Sequence, residues 1–288
     1  MNYYKNFNYT EAERLIRLAL KEDSGKGDVT SELLIPENSN SKSEILIKEN
    51  GVIAGIEIFK LVFRIIDRKV KIKFVKKDGD IVKRGEVIGV VTGNTRNLLL
   101  GERTSLNILQ RMSGIATQTF LMKTKLNNSS IRIIDTRKTT PNFRIFEKLA
   151  VRTGGGENHR IGLYDMILIK DNHIEANGGI SNTMKILKKD KNKIKCKVEI
   201  EVKDTEELKI VLKEGKGIID RVMLDNFKLN DLKKAIELNK KIFELEVSGG
   251  VNYKNIDKYK NIHGINYISI GSLTHSVNSL DISFNFIT

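Results

Sequence analysis

The chain has 288 residues, of which 40% are hydrophobic and 30% are charged, and its formal net charge is +14. This length allows one large or two ordinary domains, and the hydrophobic content is that of a soluble globular protein. Lysines are spread along the whole chain without zinc-finger spacing or RNP-like aromatic motifs, so nucleic-acid binding is disfavoured as the primary function. The charge can instead attract small polyanions into a cleft, or it can reflect compositional bias alone.

Cysteine content and the N-terminal sequence limit where the protein can work. Cys196 is the single cysteine, which excludes an intrachain disulfide framework, and we expect it to pack as a small hydrophobic side chain. The segment MNYYKNFNYT lacks the apolar core of a signal peptide, and no run approaches the length of a membrane span. We therefore expect a soluble, cytoplasmic protein that does not insert into a membrane.

Patterns in the first third of the chain predict a helix followed by short strands. Thr10 and Glu13 form a capping-box pattern that opens an amphipathic helix through about Lys21. The segments SEILIKE, GVIAGIEIFKLVFRII, VKIKFVK and DIVKRGEVIGVVTG then predict strands and turns. The apolar run at residues 55–66 could instead be a short helix.

A carrier-like hairpin and a long helix come next. DGDIVKRGEVIGVV resembles the hairpins of lipoyl and biotinyl carrier domains, whose modified lysine lies at the tip of a tight turn. Lys83 lies in a strand-like segment, so we interpret this region as scaffold. Residues 97–126 carry apolar side chains at helical spacing and predict a long helix.

The second half of the chain alternates strand-like segments with amphipathic helical segments. This alternation predicts parallel strands joined by right-handed crossovers. Nearly every predicted strand ends in a charged, small or amide residue, as in a β/α barrel, whereas a doubly wound sheet concentrates its ligand loops at one switch point. We therefore favour the barrel. The predicted strands are residues 131–135, 166–170, 198–202, 222–225, 243–247 and 267–271, and two predicted helices are residues 205–214 and 229–239.

Residues 135–173 concentrate cations around a three-glycine loop at residues 154–156. Arginine offers a planar fork that matches carboxylate and phosphate oxygens, lysine offers a compact charge, and glycine lets a ligand approach the backbone. These cations follow apolar segments, so we predict a site for small, highly charged anions rather than a solvated basic surface. They are Arg137, Lys138, Arg152, His159, Arg160 and Lys170.

Acids and glycines at later strand ends extend this predicted site. Glu201 and Asp225 end adjacent predicted strands, where they can hold a divalent metal, bind sugar hydroxyls or form plain salt bridges. The glycine-rich ends SGG and IGS occupy places where barrels bind phosphate through backbone amides. The histidines lack a zinc spacing, and neither a GxSxG nor a P-loop motif is present.

Several of these motifs, in order, resemble the quinolinate phosphoribosyltransferases, also called nicotinate-nucleotide pyrophosphorylases (carboxylating). They are GERTSLNILQRMSGIAT, DTRKTTP, AVRTGGGENHRIGLYDMILIKDNH, VEIEV, VMLDNF, LEVSGGV and ISIGSLTHS, and the resemblance covers about residues 27–282. The resemblance implies the type II phosphoribosyltransferase fold. An N-terminal α/β sandwich domain would comprise residues 1–113, with residues 276–288 returning to it. An open six-stranded α/β barrel would comprise residues 114–275.

The resemblance also implies an activity. Such an enzyme is a pentosyltransferase, and it transfers phosphoribosyl from phosphoribosyl pyrophosphate to quinolinate with decarboxylation. The products are nicotinate mononucleotide, pyrophosphate and CO₂, the reaction belongs to de novo NAD biosynthesis, and Mg²⁺ is required. The protein would be a homodimer, possibly a higher oligomer, with Arg103 supplied to each site by the partner subunit.

The resemblance further assigns roles to individual residues of this chain. Arg103, Arg137 and Arg160 would bind the quinolinate carboxylates, with Thr136 and His159 beside them. Lys138 and Lys170 would contact substrate and pyrophosphate, and Glu201 and Asp225 would bind the ribose hydroxyls and Mg²⁺. Those two lysines and two acids are the expected catalytic residues. The expected 5′-phosphate cradle consists of Ser248, Gly249, Gly250, Gly271 and Ser272, with His275 nearby.

Three alternatives stay open at this point. The segment between Glu201 and Asp225 is longer than the family pattern, which leaves Glu199 as a second candidate for the active carboxylate. The molybdenum-operon relative of the enzyme shares TRKTTP and GGGxxHR, although LYDMILIKDNH and the complete GERTSLN region favour the quinolinate enzyme. A non-catalytic anion-binding or carrier protein is the alternative from a different class.

Overall fold

The computed structural model describes residues 3–287, and the chain forms two compact units built from non-contiguous segments. The first unit contains the chain up to Leu121, Lys138–Gly156 and the chain from Ser272 onward, and the second contains Met122–Arg137 and Glu157–Gly271. The predicted domain boundaries after residues 113 and 275 stay a prediction. Met1, Asn2 and Thr288, which the predicted domains include, lie outside the described residues.

The helices and strands follow one another in a fixed order along the chain. Up to the first strand of the second unit they are α1 (Tyr9–Ser24), α2 (Val29–Leu34), β1 (Asn40–Ile47), β2 (Gly51–Val52), α3 (Ile56–Ile66), β3 (Lys71–Phe74), β4 (Ile81–Val82), β5 (Val87–Asn94), α4 (Thr95–Leu126) and β6 (Arg132–Ile134). After it come α5 (Arg144–Thr153), β7 (Ile167–Ile169), α6 (Asp171–Ala176), α7 (Ile180–Lys189), β8 (Val198–Val202), α8 (Thr205–Glu214), β9 (Arg221–Asp225), α9 (Leu229–Asn239), β10 (Glu244–Ser248), β11 (Tyr267–Ser269), α10 (Ser272–His275) and β12 (Ile282–Ile287). Short 3₁₀ helices occur at Lys191–Lys193 and Ile256–Tyr259.

Helix α1 is present as predicted, but it starts earlier than the capping-box pattern indicates. Its N-cap is Asn8, whose side chain accepts a hydrogen bond from the Glu11 amide at 3.0 Å. Thr10 therefore lies inside the first turn, because the asparagine upstream already satisfies a free amide there. The six-residue helix α2 was not predicted, and it is too short to show a clear helical period.

An antiparallel sheet with strand order β12-β1-β5-β3 forms the centre of the first unit. Strand β12 pairs antiparallel with β1, so the end of the chain returns to the first sheet. The apolar run at residues 56–66 is the helix α3, the alternative to a strand, and it buries Phe59 and Phe63 against this sheet's core. Ile45, Val91 and Phe284 are contributed to that core by three of the strands.

The second unit is built on a six-stranded parallel sheet with strand order β6-β11-β10-β9-β8-β7. Glu199 on β8 and Glu246 on β10 both contact His159, so they lie on the same face of the sheet, although β9 lies between those strands. Strands β6 and β7 are the two ends of the strand order, which makes this an open barrel rather than a closed one. The predicted barrel is confirmed, and α8 and α9 have the predicted bounds.

Three smaller expectations have different outcomes. Cys196 is exposed, so the expectation that it packs as a small hydrophobic side chain was wrong. Lys83 follows β4 in an exposed segment rather than lying in a strand. Among the described residues, no helix combines the length and the apolar character that crossing a bilayer requires. The cytoplasmic location stays a prediction.

Candidate active site

The predicted site residues of the second unit lie at one edge of the parallel sheet. Parallel strands end at the same edge, and barrel enzymes place their functional groups there. Thr136 and Arg137 follow β6, Lys170 follows β7, and Gly271 lies just after β11. Glu201 lies near the end of β8, Asp225 and Ser248 end β9 and β10, and Gly249 and Gly250 follow β10. Arg103, Lys138, Ser272 and His275 belong to the first unit.

Arg137 and Arg160 bring two positive charges close together. Arg160 is buried, and its guanidinium Nη1 donates a hydrogen bond to the Met166 carbonyl at 3.2 Å. Burial lowers the pKa of Arg160, and the nearby Arg137 cation lowers it further. Two guanidinium groups that repel each other in a partly buried site form a good subsite for a substrate with more than one negative charge.

The loop that carries Arg160 is fixed by a buried acid. Asp135 directly follows β6 and is fully buried. Its carboxylate accepts a hydrogen bond from the His159 amide at 2.9 Å. The Asn158 side chain donates to the other oxygen of the same carboxylate. Farther along, Asp165 accepts from the amides of Ile161 and Gly162, at 2.7 and 2.9 Å. The backbone on both sides of Arg160 is therefore held in place.

Below this loop the barrel interior contains a cluster of ionisable side chains, of which sequence reasoning named His159 and Glu199 but missed Glu246 and Arg221. The Nε2 atom of His159 lies 2.9 Å from Glu199 and 3.6 Å from Glu246, and both glutamates are fully buried. Arg221 lies beside them, with Nη1 at 3.0 Å from Glu246 and 4.0 Å from Glu199. A usable signal existed, because Glu199 and Glu201 in VEIEV, and Glu244 and Glu246 in ELEVS, alternate with apolar residues on one face.

The cluster has the electrostatics of a crowded acidic pair. Burial raises the pKa of Glu199 to about 7, and burial and the facing Glu199 carboxyl raise the pKa of Glu246 to about 8. The ligating atoms of His159, Glu199 and Glu246 lie within 4.8 Å of one another, the one such group of three found among residues 3–287. The Arg221 guanidinium already supplies positive charge to both acids, so the group does not need a metal to balance it.

Glu201 occupies a different environment from Glu199, which separates the two candidates for the active carboxylate. Glu201 points to Lys170, whose Nζ lies 3.1 Å from its Oε2. Burial raises the pKa of Glu201, the Lys170 cation opposes this, and the negative charge of Asp225 adds to the rise. Glu201 and Asp225 therefore act on each other as neighbouring carboxylates, the oxygen ligands that Mg²⁺ prefers.

The turn after β10 requires glycine at one position. Gly249 has a φ of +98°, and a Cβ atom there would lie 2.1 Å from the Oδ1 atom of Asn226. Any other residue would be strained and would collide with Asn226. The Gly250 carbonyl accepts hydrogen bonds from the side chains of Asn252 and Asn255, at 3.0 and 2.9 Å. The turn is thus a fixed backbone concavity, as a phosphate cradle must be.

In the first unit, a buried carboxylate organises the segment that follows Lys138. Glu147 is fully buried and accepts hydrogen bonds from the Arg111 guanidinium at 2.8 and 3.1 Å and from the amide and hydroxyl of Thr140 at 3.0 Å. Arg111 also donates to the Thr274 carbonyl. The Thr274 hydroxyl donates to the Lys138 carbonyl at 2.7 Å, so the backbone of Lys138 is tied to this clamp.

The remaining predicted residues of the first unit are Ser272, His275 and Arg103, and they differ in exposure. The Ser272 hydroxyl oxygen is buried and has no hydrogen-bond partner among the described residues. His275 is exposed and contacts the Ser276 hydroxyl at 2.6 Å. Arg103 lies on α4 with 60% of its side chain exposed, 3.9 Å from Glu102. The structure therefore leaves the side chains of His275 and Arg103 accessible for binding, whereas the Ser272 hydroxyl is buried.

The three-glycine loop has a packing role at its first position. A Cβ atom on Gly154 would lie 2.4 Å from the Ala116 carbonyl oxygen and 2.7 Å from the Thr119 side chain. Helix α5 therefore ends in close contact with α4, which only glycine permits at this point. This contact explains Gly154 without a ligand.

An open α/β barrel that gathers cations, two carboxylates and a rigid glycine turn at its strand ends defines an enzyme for small polyanionic substrates. Comparison with family models makes this specific. The N-terminal domain model of quinolinate phosphoribosyl transferase matches residues 28–113, and the C-terminal domain model matches residues 115–285. The chain belongs to the quinolinate phosphoribosyltransferase family, and it is a phosphoribosyltransferase enzyme.

Individual relatives agree with this assignment along nearly the full chain. The chain is 42% identical over 294 residues to a chloroplastic nicotinate-nucleotide pyrophosphorylase [carboxylating] from Arabidopsis thaliana, covering 96% of this chain and 83% of the relative. It is 41% identical over 278 residues to a probable nicotinate-nucleotide pyrophosphorylase [carboxylating] from Bacillus subtilis, covering 96% and 94%. The crystal structure of NadC from Streptococcus pyogenes superposes with a TM-score of 0.91 at 35% identity, covering 99% of this chain and 100% of that one.

Proposed function

We propose that this protein transfers the 5-phosphoribosyl group of phosphoribosyl pyrophosphate to quinolinate and decarboxylates the product. The products are nicotinate mononucleotide, pyrophosphate and CO₂, and the reaction serves de novo NAD synthesis. Support comes from the family membership and from relatives named nicotinate-nucleotide pyrophosphorylase [carboxylating]. These names favour quinolinate as substrate over the molybdenum-operon alternative.

The pairing of Arg137 with Arg160 is the observation that carries this proposal. Burial and the Arg137 charge both lower the pKa of Arg160, whereas the charges of Asp165 and Glu199 raise it. Quinolinate carries two adjacent carboxylates, which would relieve the repulsion between the two guanidinium groups. Thr136, directly before Arg137, and His159, directly before Arg160, would complete this subsite.

The other site residues suit the second substrate. Lys138 and Lys170 would contact substrate and the pyrophosphate group, since lysine supplies a compact charge to phosphate. The fixed turn after β10 and the Ser272 hydroxyl, which is buried without a hydrogen-bond partner among the described residues, suit the 5′-phosphate. The residues of this proposed cradle are Ser248, Gly249, Gly250, Gly271 and Ser272, with His275 nearby.

In the proposed mechanism the protein positions and stabilises charges without forming a covalent bond. The bond from ribose C1 to the pyrophosphate oxygen breaks with its electron pair leaving on pyrophosphate, and the pyridine nitrogen lone pair forms the new bond to C1. Lys138 and Lys170 stabilise the leaving group, and Glu201 and Asp225 stabilise positive charge on the ribose, all by preorganised electrostatics. The C2–carboxylate bond then breaks, the cationic ring nitrogen stabilises the electron pair left at C2, and C2 takes up a proton.

Glu201 and Asp225 form the set of hard oxygen donors that fits Mg²⁺. Burial is the main cause of the raised pKa of Glu201, and the negative charge of Asp225 adds to it, so a cation here would favour the ionised carboxylates. They would hold the ion through substrate oxygens or water, as is usual for Mg²⁺ at phosphate sites. A bound Mg²⁺ would neutralise charge on the pyrophosphate group.

We further propose a homodimer in which Arg103 completes the partner's site. Arg103 is exposed on α4, and α2 exposes Val29, Leu33 and Leu34, at 78%, 83% and 67%. Three large apolar side chains on one short helix are more typical of a protein interface than of a free surface. In the proposed dimer, Arg103 would contact the partner's substrate site, and the exposed apolar side chains of α2 would pack against the partner subunit.

One assay tests the activity. Purified protein is incubated with quinolinate, phosphoribosyl pyrophosphate and Mg²⁺, and nicotinate mononucleotide is measured by chromatography. We expect product from the wild type and a loss of about 100-fold or more in kcat/KM for Arg137→Ala. Arg14→Ala, which removes an exposed arginine paired only with Glu11 on α1, is the matched control. A folded wild-type protein that forms no nicotinate mononucleotide contradicts the proposal.

A complementation experiment tests the composite site. Arg103→Ala and Lys138→Ala should each be inactive alone. After subunit exchange, each mixed dimer contains one site with both native residues, so mixing should restore activity. Lack of recovery despite exchange, shown by tagged subunits, would contradict the shared site and leave the activity itself untouched.

A further inference from the structure

We propose that Glu199, Glu246 and Arg221 are positioning residues that hold His159, and through it Arg160, in the orientation that binds a substrate carboxylate. The inference rests on the proposed function, since it concerns the quinolinate subsite. It also changes the role of His159, which would support Arg160 instead of contacting the substrate.

The hydrogen bond at Nδ1 determines the tautomer of the imidazole. The Arg160 amide donates to the Nδ1 atom of His159 at 2.7 Å, so Nδ1 is an acceptor. A neutral imidazole with an accepting Nδ1 carries its proton on Nε2. This Nε2 atom lies 2.9 Å from Glu199 and 3.6 Å from Glu246. Both ring nitrogens therefore face the protein, one toward the Arg160 backbone and one toward the buried acids.

Arg221 is itself held rigidly below the acids. Its guanidinium stacks on the Tyr267 ring at 3.7 Å, and Nη2 lies 3.6 Å from Glu244. Its Nη1 donates to Glu246 at 3.0 Å. A continuous set of contacts thus leads from strands β9, β10 and β11 through the acids to the loop residue His159.

Burying Glu199, Glu246 and Arg221 inside the barrel costs free energy of desolvation, which stabilising the fold alone does not explain. Barrel interiors are normally filled with branched apolar side chains, and replacing a buried ion pair with apolar residues is often neutral or stabilising. Two fully buried acids beside an arginine therefore call for another reason. Directional contacts fix the angle of an imidazole ring, which apolar packing does far less well.

Isothermal titration of quinolinate into the protein at about pH 9, where Glu246 with its pKa of about 8 is ionised, tests the inference. Glu246→Gln keeps the shape of the side chain, and we expect the Kd for quinolinate to rise by about 10- to 100-fold, while the KM for phosphoribosyl pyrophosphate stays within about twofold. Glu214→Gln is the matched control, because it removes a glutamate that pairs with Lys188 at the surface. The control should leave both constants unchanged, and an unchanged quinolinate Kd in Glu246→Gln overturns the inference.

A double-mutant cycle separates positioning from a general structural role. If Glu246 acts through Arg160, then Glu246→Gln should weaken quinolinate binding much less in an Arg160→Lys background than in the wild type. Equal losses in the two backgrounds would contradict the inference. Zinc or another divalent metal that co-purifies with the wild type and is lost from Glu246→Gln would also contradict it, by making the cluster a metal site.

A second variant covers the possibility that single changes unfold the barrel. The triple replacement Glu199→Leu, Glu246→Leu and Arg221→Met substitutes an apolar interior, which should fold with a Tm near or above that of the wild type. It should nevertheless bind quinolinate at least about tenfold more weakly. Wild-type affinity in this variant would overturn the inference. Failure of the wild type to make nicotinate mononucleotide would instead count against the proposed function.

Discussion

The antiparallel sheet of the first unit packs on aliphatic and aromatic side chains, whereas the parallel sheet of the second unit encloses acids, a histidine and an arginine. Phe59, Phe63 and Phe284 are typical of the first core. Glu199 and Glu246 are typical of the second interior, and both are as fully buried as the phenylalanines. Both regions therefore bury large side chains completely, but those of the first are apolar and those of the second are ionisable.

The difference indicates that the first core mainly stabilises the fold, whereas the second interior mainly fixes the orientation of side chains. Apolar burial contributes stability in proportion to area and specifies orientation only through shape. Buried acids contribute little net stability, but each contact has a required direction. The region beneath the anion site uses directional contacts, which agrees with a need to hold side chains at fixed angles.

The largest expected effect comes from damaging the apolar core. Phe63 is fully buried, with its ring centroid 5.2 Å from that of Phe59 and 6.0 Å from that of Phe284. Phe63→Ala should lower the free energy of unfolding by about 3–5 kcal/mol, measured by urea denaturation. Val75→Ala, at a side chain that is 69% exposed, should change it by less than about 0.5 kcal/mol. The folded Phe63→Ala variant should bind quinolinate with the affinity of the wild type. A loss of affinity in the folded variant would contradict the view that this core serves stability alone.

A smaller effect concerns the pH dependence of stability. Burial and Glu199 raise the pKa of Glu246 to about 8, well above the ordinary value for a glutamate, so the folded protein retains a proton that the unfolded chain has released. The contribution of Glu246 to the free energy of unfolding is therefore complete at a pH below its pKa in the unfolded chain. It is lost as the pH rises to its pKa in the folded protein. The wild type should therefore lose stability relative to Glu246→Gln between pH 6 and 7, by at most about 1.4 kcal/mol.

The apolar core provides the control for this measurement. The difference in unfolding free energy between the wild type and Phe63→Ala should be independent of pH, since no titrating group is removed. A difference between the wild type and Glu246→Gln that stays constant over the same interval would show that Glu246 does not titrate there.

Local patterns were enough to predict the barrel and most of the residues at its mouth. Helices α8 and α9 have the predicted bounds because their apolar spacing is a local signal. The polar ends of the strands led to Arg137, Lys170, Glu201 and Asp225 for the same reason. The roles of these residues stay predictions, although the structure places those of the second unit at one edge of the sheet.

Contacts between distant segments could not be predicted. His159 contacts Glu199 and Glu246, which lie far from it in the sequence, and a pattern of alternation does not reveal which distant residues meet. Arg111 and Glu147 form their clamp across 36 residues, with no local sign of the partner. In α1 the error was of another kind, because two capping patterns competed and Asn8 was overlooked.

The smallest expected effect on stability is at the mouth of the barrel, where the ion pair of Lys170 and Glu201 is open to water. The Lys170 side chain is 47% exposed, so solvent screens the attraction across their 3.1 Å contact. A double-mutant cycle with Lys170→Met and Glu201→Gln should give a coupling in unfolding free energy below about 1 kcal/mol. Both single variants should nevertheless lose about 100-fold or more in kcat/KM, because each removes a charge from the reacting groups. A coupling well above that limit, with activity retained, would assign the pair to folding and not to catalysis. The expected result would instead show that the charges at the mouth serve the reaction, while those beneath it serve orientation and the apolar core of the other unit serves stability.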